Sequence, residues 1–112
     1  MKRGEIWWAS LPEPAGAEPG FRRPVVIVQA DEFNQSRIGT VIVVVLTSNL
    51  RLAEAPGNLL LTARSTGLPK NSVANVSQLI TIDKAFLTER VGKLSPSLVN
   101  ELEAGLRLVL DL

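Results

Sequence analysis

The sequence predicts a mainly β fold of the α+β class: a small β-barrel closed by a C-terminal amphipathic helix, with short helical turns between strands. Two runs of β-branched residues, 25–29 and 40–46, are nearly continuous and apolar, which is typical of strands covered on both sides. Short apolar runs bounded by glycine, proline and asparagine continue to Leu94. Ser95-Pro96 then supplies an N-cap and a proline at the first helical position, and leucines follow at helical spacing.

The first strand is predicted over residues 5–11, where alternation places Ile6 and Trp8 on one face and Glu5 and Trp7 on the other. Residues 12–21 are predicted as a loop, because their three prolines lack an amide donor and have a fixed φ. The other predicted elements, in chain order, are a strand over 25–29, a helical turn over 31–36 capped by Asp31, a strand over 40–46, a long loop over 49–57, a short strand over 58–62, a turn over 67–71, a strand over 72–82, a helical turn over 83–87, a strand over 89–94 and the helix after Ser95.

The composition describes one domain over residues 1–112. The chain is 46% hydrophobic and 21% charged, which suits a compact domain of modest core. It has no cysteine, which excludes disulfides, thiolate nucleophiles and zinc-thiolate sites. It also has no histidine, which removes the commonest general base and metal ligand. We therefore expect no metal and no other cofactor.

Charge and hydropathy set the expected environment. The formal net charge is +1, without the basic stripe of a protein that holds long duplex DNA. The apolar runs are much shorter than the roughly 18 residues of a membrane span, and residues 1–5 lead into a strand without a signal peptide. We expect a cytoplasmic protein with no membrane association.

Six fragments, in this order along the chain, carry a resemblance to a known family. They are Lys2-Arg3-Gly4-Glu5-Ile6-Trp7, Gly16-Ala17-Glu18-Pro19-Gly20, Arg23-Pro24-Val25-Val26-Ile27, Leu46-Thr47-Ser48, Gly67-Leu68-Pro69-Lys70-Asn71-Ser72-Val73 and Gln78-Leu79-Ile80-Thr81-Ile82-Asp83-Lys84. Together they resemble the MazF/PemK family of toxin endoribonucleases. The resemblance implies an SH3-like β-barrel, a homodimer, metal-independent cleavage of single-stranded RNA, and inhibition by a cognate, MazE-like antitoxin.

The resemblance assigns catalytic roles to Arg23 and Thr47, and their chemistry suits the reaction. When RNA is cleaved by its own 2′-hydroxyl, the protein only has to position the attack, move protons and stabilise the charged phosphorane. The guanidinium of Arg23 can donate to two phosphoryl oxygens, and Thr47 can donate its hydroxyl to the same phosphate. Glu18, the nearby loop carboxylate, either accepts the 2′-hydroxyl proton or orients Arg23. The expected ends are a 2′,3′-cyclic phosphate and a 5′-hydroxyl.

Other polar residues are predicted to bind RNA. They are Arg22, Ser48, Arg51, Lys70 and Gln78. Each has a simpler interpretation: Arg22 suits a surface ion pair and Gln78 a backbone hydrogen bond. Trp7 and Trp8 are interpreted as core or dimer packing rather than as base-stacking surfaces, with one of them facing inward.

The chain also departs from the family pattern. Ala17 and Pro19 replace a serine and a glutamine in the first loop, and Ser77 and Ile80 remove charges that the family often has around the glutamine. The RNA sequence that is recognised therefore cannot be inferred from relatives.

Two other functions remain open. One is a CcdB-like toxin that binds DNA gyrase without catalysis, although the C-terminus lacks a tryptophan motif. The other is a nucleic-acid-binding regulator that has lost the chemistry. The presence of both Arg23 and Thr47 argues against each.

Overall fold

The computed structural model describes residues 1–17 and 21–112 as an antiparallel sheet with helices on its connections. The strands are β1 (Glu5–Leu11), β2 (Phe21–Ile27), β3 (Thr40–Thr47), β4 (Leu59–Leu61), β5 (Ser72–Asp83) and β6 (Leu87–Lys93). The α-helices are α1 (Asp31–Asn34), α2 (Ala63–Thr66) and α3 (Pro96–Leu110), and 3₁₀ turns cover Leu50–Glu54 and Lys84–Phe86. No helix of the described residues is long and apolar enough to cross a membrane.

The sheet is curled, so that its two edges approach each other. Its strand order is β4-β5-β3-β2-β1-β6, with every neighbouring pair antiparallel. Helix α2 directly follows the edge strand β4, yet it packs on the opposite edge strand β6. The approach is so close that a side chain on Gly92 would collide with the carbonyl oxygen of Thr66. The predicted class, a mainly β barrel-like fold with a C-terminal helix, is confirmed.

Each face of the sheet carries a buried apolar cluster. The first cluster includes Val26, Val44 and Leu46 and is covered by α3 through Leu102. The second includes Val25, Val43 and Val45. Consecutive residues of the central strands therefore alternate between two buried faces, as the near-continuous apolar runs predict. We call these the helix face and the opposite face.

Several predicted boundaries are confirmed. Strand β1 covers residues 5–11 as predicted, with Ile6 and Trp8 on the helix face. Helix α3 begins at Pro96, and the hydroxyl of its N-cap Ser95 accepts a hydrogen bond from the amide of Leu98 at 3.3 Å.

Other expectations are wrong for physical reasons. Ala30, not Asp31, is the N-cap of α1, because Asp31 Oδ1 instead accepts a hydrogen bond from the amide of Arg3. Strand β2 begins at Phe21, four residues before the apolar run, since its polar start pairs with β1. Helix α2 was not predicted. The expected loop over 49–57 contains a 3₁₀ turn.

Candidate functional site

The candidate site lies where β2 and β3 separate. The two strands pair Ile27 with Val43, Val26 with Val44, and Val25 with Val45, and the ladder stops there. The next residue of β2 is Pro24, which has no amide hydrogen to donate. Two further steps of the same register would bring Arg23 level with Thr47. The strand ends that carry the two predicted catalytic residues are therefore neighbours, and a cleft opens between them.

A pocket of about 300 Å³ occupies this end of the sheet. Its apolar wall includes Pro24 and Leu46. Three cationic residues line it, Arg22, Arg23 and Lys70, together with the hydroxyl residues Ser48 and Ser72. Cations and hydroxyls beside an apolar wall suit a ligand that combines phosphate with a flat apolar group.

Strand alternation separates the two neighbouring arginines. Arg23 is paired with Ala9, which belongs to the cluster on the opposite face. Arg22 lies two residues before Pro24, and Pro24 is paired with Trp8 of the helix face. Since successive side chains of a strand point to opposite faces, Arg22 lies on the helix face and Arg23 on the opposite face. Arg23 is nevertheless among the residues that line the pocket.

Thr47 lies at the end of β3 on the same face as Arg23, because it follows Val45 by two residues. Its side chain is half-buried, and Oγ1 accepts a hydrogen bond from the amide of Asn49 at 3.1 Å. A hydroxyl has one hydrogen to donate and two lone pairs to accept with. The amide of Asn49 thus fixes the position of Oγ1 while the hydroxyl hydrogen can still be donated to a ligand.

Arg22 makes two contacts on the helix face. Its guanidinium carbon lies 4.1 Å from the centroid of the Trp8 ring. Its Nη2 donates to Oε2 of Glu89 on β6 at 3.3 Å. The ion pair expected as the simpler interpretation of Arg22 is thus present, and it coexists with a place in the pocket wall.

The structure brings together some, but not all, of the predicted site residues. Arg22, Arg23, Ser48 and Lys70 share the pocket, and Thr47 follows the pocket residue Leu46 without lining it. Arg51 lies in the 3₁₀ turn after β3 and does not line the pocket. Glu18 lies outside the described residues.

Gln78 also lies away from the pocket lining. Val44 and Val45 are consecutive on β3, but their partners on β5 are Leu79 and Asn75. Three extra residues, 76–78, therefore form a bulge in β5 that carries Gln78. Bulges often redirect side chains near functional sites.

Trp8 and Ser72 are pocket residues that were not among the predicted site residues. Trp8 was interpreted as packing, yet it is half-buried and lines the pocket beside Arg22. Ser72 begins β5, where Val73 is paired with Thr47. Alternation along β1 predicts which face of the sheet Trp8 lies on. Its neighbours on β2 and β6 depend on strand pairing, which the local sequence does not specify. Within residues 1–17 and 21–112, no group of three histidine, cysteine, aspartate or glutamate side chains could hold a metal ion.

Known proteins resemble this chain over its full length. Endoribonuclease MazF6 of Mycobacterium tuberculosis is 50% identical over 112 residues, covering 100% of this chain and 98% of the relative. The crystal structure of MazF from Deinococcus radiodurans superposes with a TM-score of 0.84 at 19% identity, covering 100% of this chain and 97% of that one. A mycobacterial endoribonuclease in complex with its cognate antitoxin superposes with a TM-score of 0.73 at 22% identity, covering 100% and 94%.

The family model of PemK-like, MazF-like toxins matches residues 2–110. This match covers nearly the whole chain, including the pocket and both strand ends that form it. The chain belongs to the family of PemK-like, MazF-like toxins of type II toxin-antitoxin systems.

Proposed function

We propose that this chain, acting as one domain over residues 1–112, is the endoribonuclease toxin of a type II toxin-antitoxin system. It cleaves single-stranded RNA at selected sequences and thereby inhibits translation and growth. The observation that carries the proposal is the cationic pocket at the place where β2 and β3 separate, close in sequence to Arg23 and Thr47. Family membership and the 50% identical relative, an endoribonuclease by name, support it.

The reaction we propose is attack of the RNA 2′-hydroxyl on the adjacent phosphorus, with departure of the 5′-oxygen. The products carry a 2′,3′-cyclic phosphate and a 5′-hydroxyl. Because the nucleophile belongs to the substrate, the protein needs no metal-bound water and no nucleophilic side chain. Metal independence is therefore part of the proposal.

Arg23 clamps the reacting phosphate in this mechanism. Its planar set of N–H donors matches two phosphoryl oxygens, whose negative charge grows in the transition state. A guanidinium is a poor general base because it stays protonated in nearly all settings, so Arg23 serves as clamp and proton donor to the leaving oxygen. Thr47 donates its hydroxyl to the same phosphate from an oxygen fixed by Asn49. Glu18 accepts the 2′-hydroxyl proton or orients Arg23.

The remaining predicted residues bind the flanking RNA. Arg22, Ser48 and Lys70 hold a neighbouring nucleotide in the pocket. Arg51, after β3, and Gln78, on the β5 bulge, contact RNA that continues beyond it. Binding on both sides of the reacting phosphate is what gives a ribonuclease its sequence preference.

We propose that the protein is a homodimer in the cytoplasm and that a MazE-like antitoxin inhibits it. Exposed apolar side chains suit pairing with another chain; Leu60, on the edge strand β4, is 50% exposed, and Leu112 is 84% exposed. A small domain gains buried surface by pairing. The superposable mycobacterial endoribonuclease is in complex with its cognate antitoxin.

The test is to incubate the purified protein with a long, defined single-stranded RNA in EDTA and to map the ends. We expect discrete cuts with 2′,3′-cyclic phosphate and 5′-hydroxyl ends. Arg23→Ala should lower the cleavage rate by about 10²- to 10³-fold or more, as expected for removal of a transition-state donor, while the thermal unfolding curve stays close to that of the wild type. An absence of cuts on any RNA would contradict the proposal and direct the next assay to DNA gyrase.

Thr47 offers a matched pair of variants. Thr47→Val keeps the β-branched shape but removes the hydroxyl, whereas Thr47→Ser keeps the hydroxyl. We expect cleavage to fall by about 10²-fold in the valine variant and to be largely retained in the serine variant. Equal activity of the two would show that the hydroxyl has no catalytic role. Cleavage that fails in EDTA and returns with magnesium would contradict metal independence.

A further inference from the structure

Arg22 lies over Trp8, and its two ends are held on different strands. Its backbone belongs to β2, and its guanidinium reaches Glu89 on β6, with β1 between them. Neighbouring strands are about 4.8 Å apart, so β2 and β6 lie roughly 10 Å apart across β1. Trp8 lies beneath the Arg22 side chain, because Trp8 is paired with Glu89 in the β1–β6 register. The guanidinium carbon is consequently 4.1 Å from the ring centroid.

A guanidinium carbon 4.1 Å from the ring centroid suits a guanidinium stacked on the ring, which presents its plane rather than its edge. A phosphate binds the N–H edge of an arginine, in the plane of the group. Part of that edge is already directed to Glu89 at 3.3 Å. The inner face of the plane rests on the indole, whereas the Arg22 side chain as a whole is 56% exposed and lines the pocket. The surface that Arg22 offers a ligand is therefore flat, cationic and supported from behind.

Unpaired RNA bases stack on such surfaces. Guanidinium planes and aromatic rings are the groups on which proteins stack bases that have left the helix. We propose that Trp8 and Arg22 form a base-stacking subsite, in which one unpaired base stacks on the outer face of the Arg22 guanidinium. Trp8 supports the inner face, and Glu89 holds the far end. Arg22 touches the substrate; Trp8 and Glu89 are positioning residues.

The inference rests on the proposed function and adds a role to it: a base is held by stacking on the helix face, away from the reacting phosphate at Arg23. It also changes the interpretation of Arg22 from a point charge to a plane. A lysine in its place would keep the charge and lose the plane, so the two roles can be separated by one substitution.

The experiment measures binding without cleavage. The ligand is a single-stranded 2′-deoxy oligonucleotide of the cleaved sequence, which lacks the attacking hydroxyl. Trp7 and Trp8 are the two tryptophans of the chain, so Trp7→Phe leaves Trp8 as the fluorescent reporter. We expect the oligonucleotide to change the fluorescence of Trp8 in this variant, and Arg22→Lys in the same background to raise the Kd about 10-fold.

Salt dependence separates the plane from the charge. Arg22→Lys keeps the charge, so the slope of log K against log salt should equal that of the parent. Arg22→Ala should weaken binding and also reduce the slope, because it removes a cation beside the bound strand. A series of oligonucleotides, each lacking the base at one position, locates the stacked base. At that position, the parent and Arg22→Lys should bind with equal Kd.

The role of Trp8 is tested by rescue. Trp8→Phe should keep the binding of the parent within a few-fold, since a ring still supports the guanidinium, whereas Trp8→Leu should weaken binding about 10-fold. For these two variants the binding is measured by anisotropy of a labelled oligonucleotide. A cleavage assay on RNA should show the loss in KM rather than in kcat.

Two results would overturn the inference: a lysine variant that binds as tightly as the parent, or an abasic series in which no position removes the arginine–lysine difference. If the wild-type protein cleaves RNA in either case, the proposed function stands and the stacking subsite does not. If the wild-type protein neither binds nor cleaves any RNA, both fail together.

Discussion

The two faces of the β1–β6 pair carry the same three residue types in two different environments. Each face has a tryptophan of β1, an arginine and a glutamate. On one face they are Trp7, Arg90 and Glu5, and on the other they are Trp8, Arg22 and Glu89. We call the first group the closed cluster, because its glutamate is buried, and the second the open cluster, because its glutamate is exposed. This difference separates a structural cluster from a binding surface.

The closed cluster is organised around a buried carboxylate. Glu5 is 8% exposed. It accepts hydrogen bonds from the amide of Lys2 at 2.8 Å, from Nε1 of Trp7 at 3.1 Å and from Nε of Arg90 at 2.9 Å. The donors around this carboxylate are thus already used within the protein. A buried carboxylate that is satisfied in this way stabilises the fold.

The open cluster has the same groups around an exposed carboxylate, since the side chain of its glutamate is 67% exposed against 10% for that of Glu5, whereas the two arginines are similar at 56% and 50%. The ion pair of Arg22 with Glu89 is also longer, at 3.3 Å. Exposed ion pairs contribute little to stability because water and salt screen them. The open cluster instead orients the guanidinium plane of Arg22 at the pocket. Burial, not residue type, decides which of the two clusters stabilises the fold.

Glu5→Gln should have the largest effect on stability. The amide removes the charge that three donors share and places its own N–H₂ group against one of them. We expect a loss of about 2 to 3 kcal/mol in the free energy of unfolding, with the single-turnover cleavage rate at saturating enzyme unchanged. Urea unfolding and a cleavage assay on the same preparation measure both. A variant as stable as the wild type would show that the buried cluster does not stabilise the fold.

Acid should weaken the closed cluster in a defined direction. Burial by itself raises the pKa of Glu5, but the hydrogen bonds from Lys2, Trp7 and Arg90 outweigh it and lower the pKa below its ordinary value of 4.5. A carboxyl whose pKa is lower in the folded state contributes stability above its unfolded pKa and loses it as the pH falls through the folded pKa. We expect thermal stability to decline below about pH 4.5.

A second carboxyl titrates in the same direction. The amide of Arg3 and the side chain of Asn34 lower the pKa of Asp31 below 3.8. Glu5→Gln should therefore flatten the decline only in part, and adding Asp31→Asn should flatten it further. An acid decline of equal size in wild type and double variant would assign it to other groups.

Glu89→Gln should have the smallest effect on stability. Both side chains of its ion pair with Arg22 are more than half exposed, so we expect a change of less than about 0.5 kcal/mol in the free energy of unfolding. The substitution makes the same chemical change as Glu5→Gln, but at an exposed side chain instead of a buried one. A loss as large as that of Glu5→Gln would erase the distinction between the two clusters.

The sequence predicts the features of the fold that depend on residues close together in the chain. Alternation over residues 5–11 places Trp7 and Trp8 on opposite faces, and Ser95-Pro96 marks the start of α3. These features depend on neighbours in the chain. The family resemblance then adds the assignment of Arg23 and Thr47, which lie two residues beyond the last β2–β3 pair, Val25 with Val45.

Local patterns do not control pairing between strands. The polar start of β2 is a strand because Arg22 and Arg23 pair with Ser10 and Ala9, not because their own propensity favours it. The contact of Arg22 with Glu89 spans 67 positions, and no local signal predicts it. The base-stacking subsite could therefore be proposed only from the structure, whereas the catalytic pair could be proposed from the sequence.

The most direct test compares the same substitution at the two neighbouring arginines, Arg22→Lys and Arg23→Lys. The measurement is single-turnover cleavage of RNA over a range of enzyme concentrations, which gives a maximal rate and a half-saturating concentration for each. We expect Arg23→Lys to lower the maximal rate about 10²-fold with little change in half-saturation, and Arg22→Lys to raise half-saturation about 10-fold with the maximal rate retained. If both substitutions changed the same parameter, the division between a catalytic arginine and a base-stacking arginine would be contradicted.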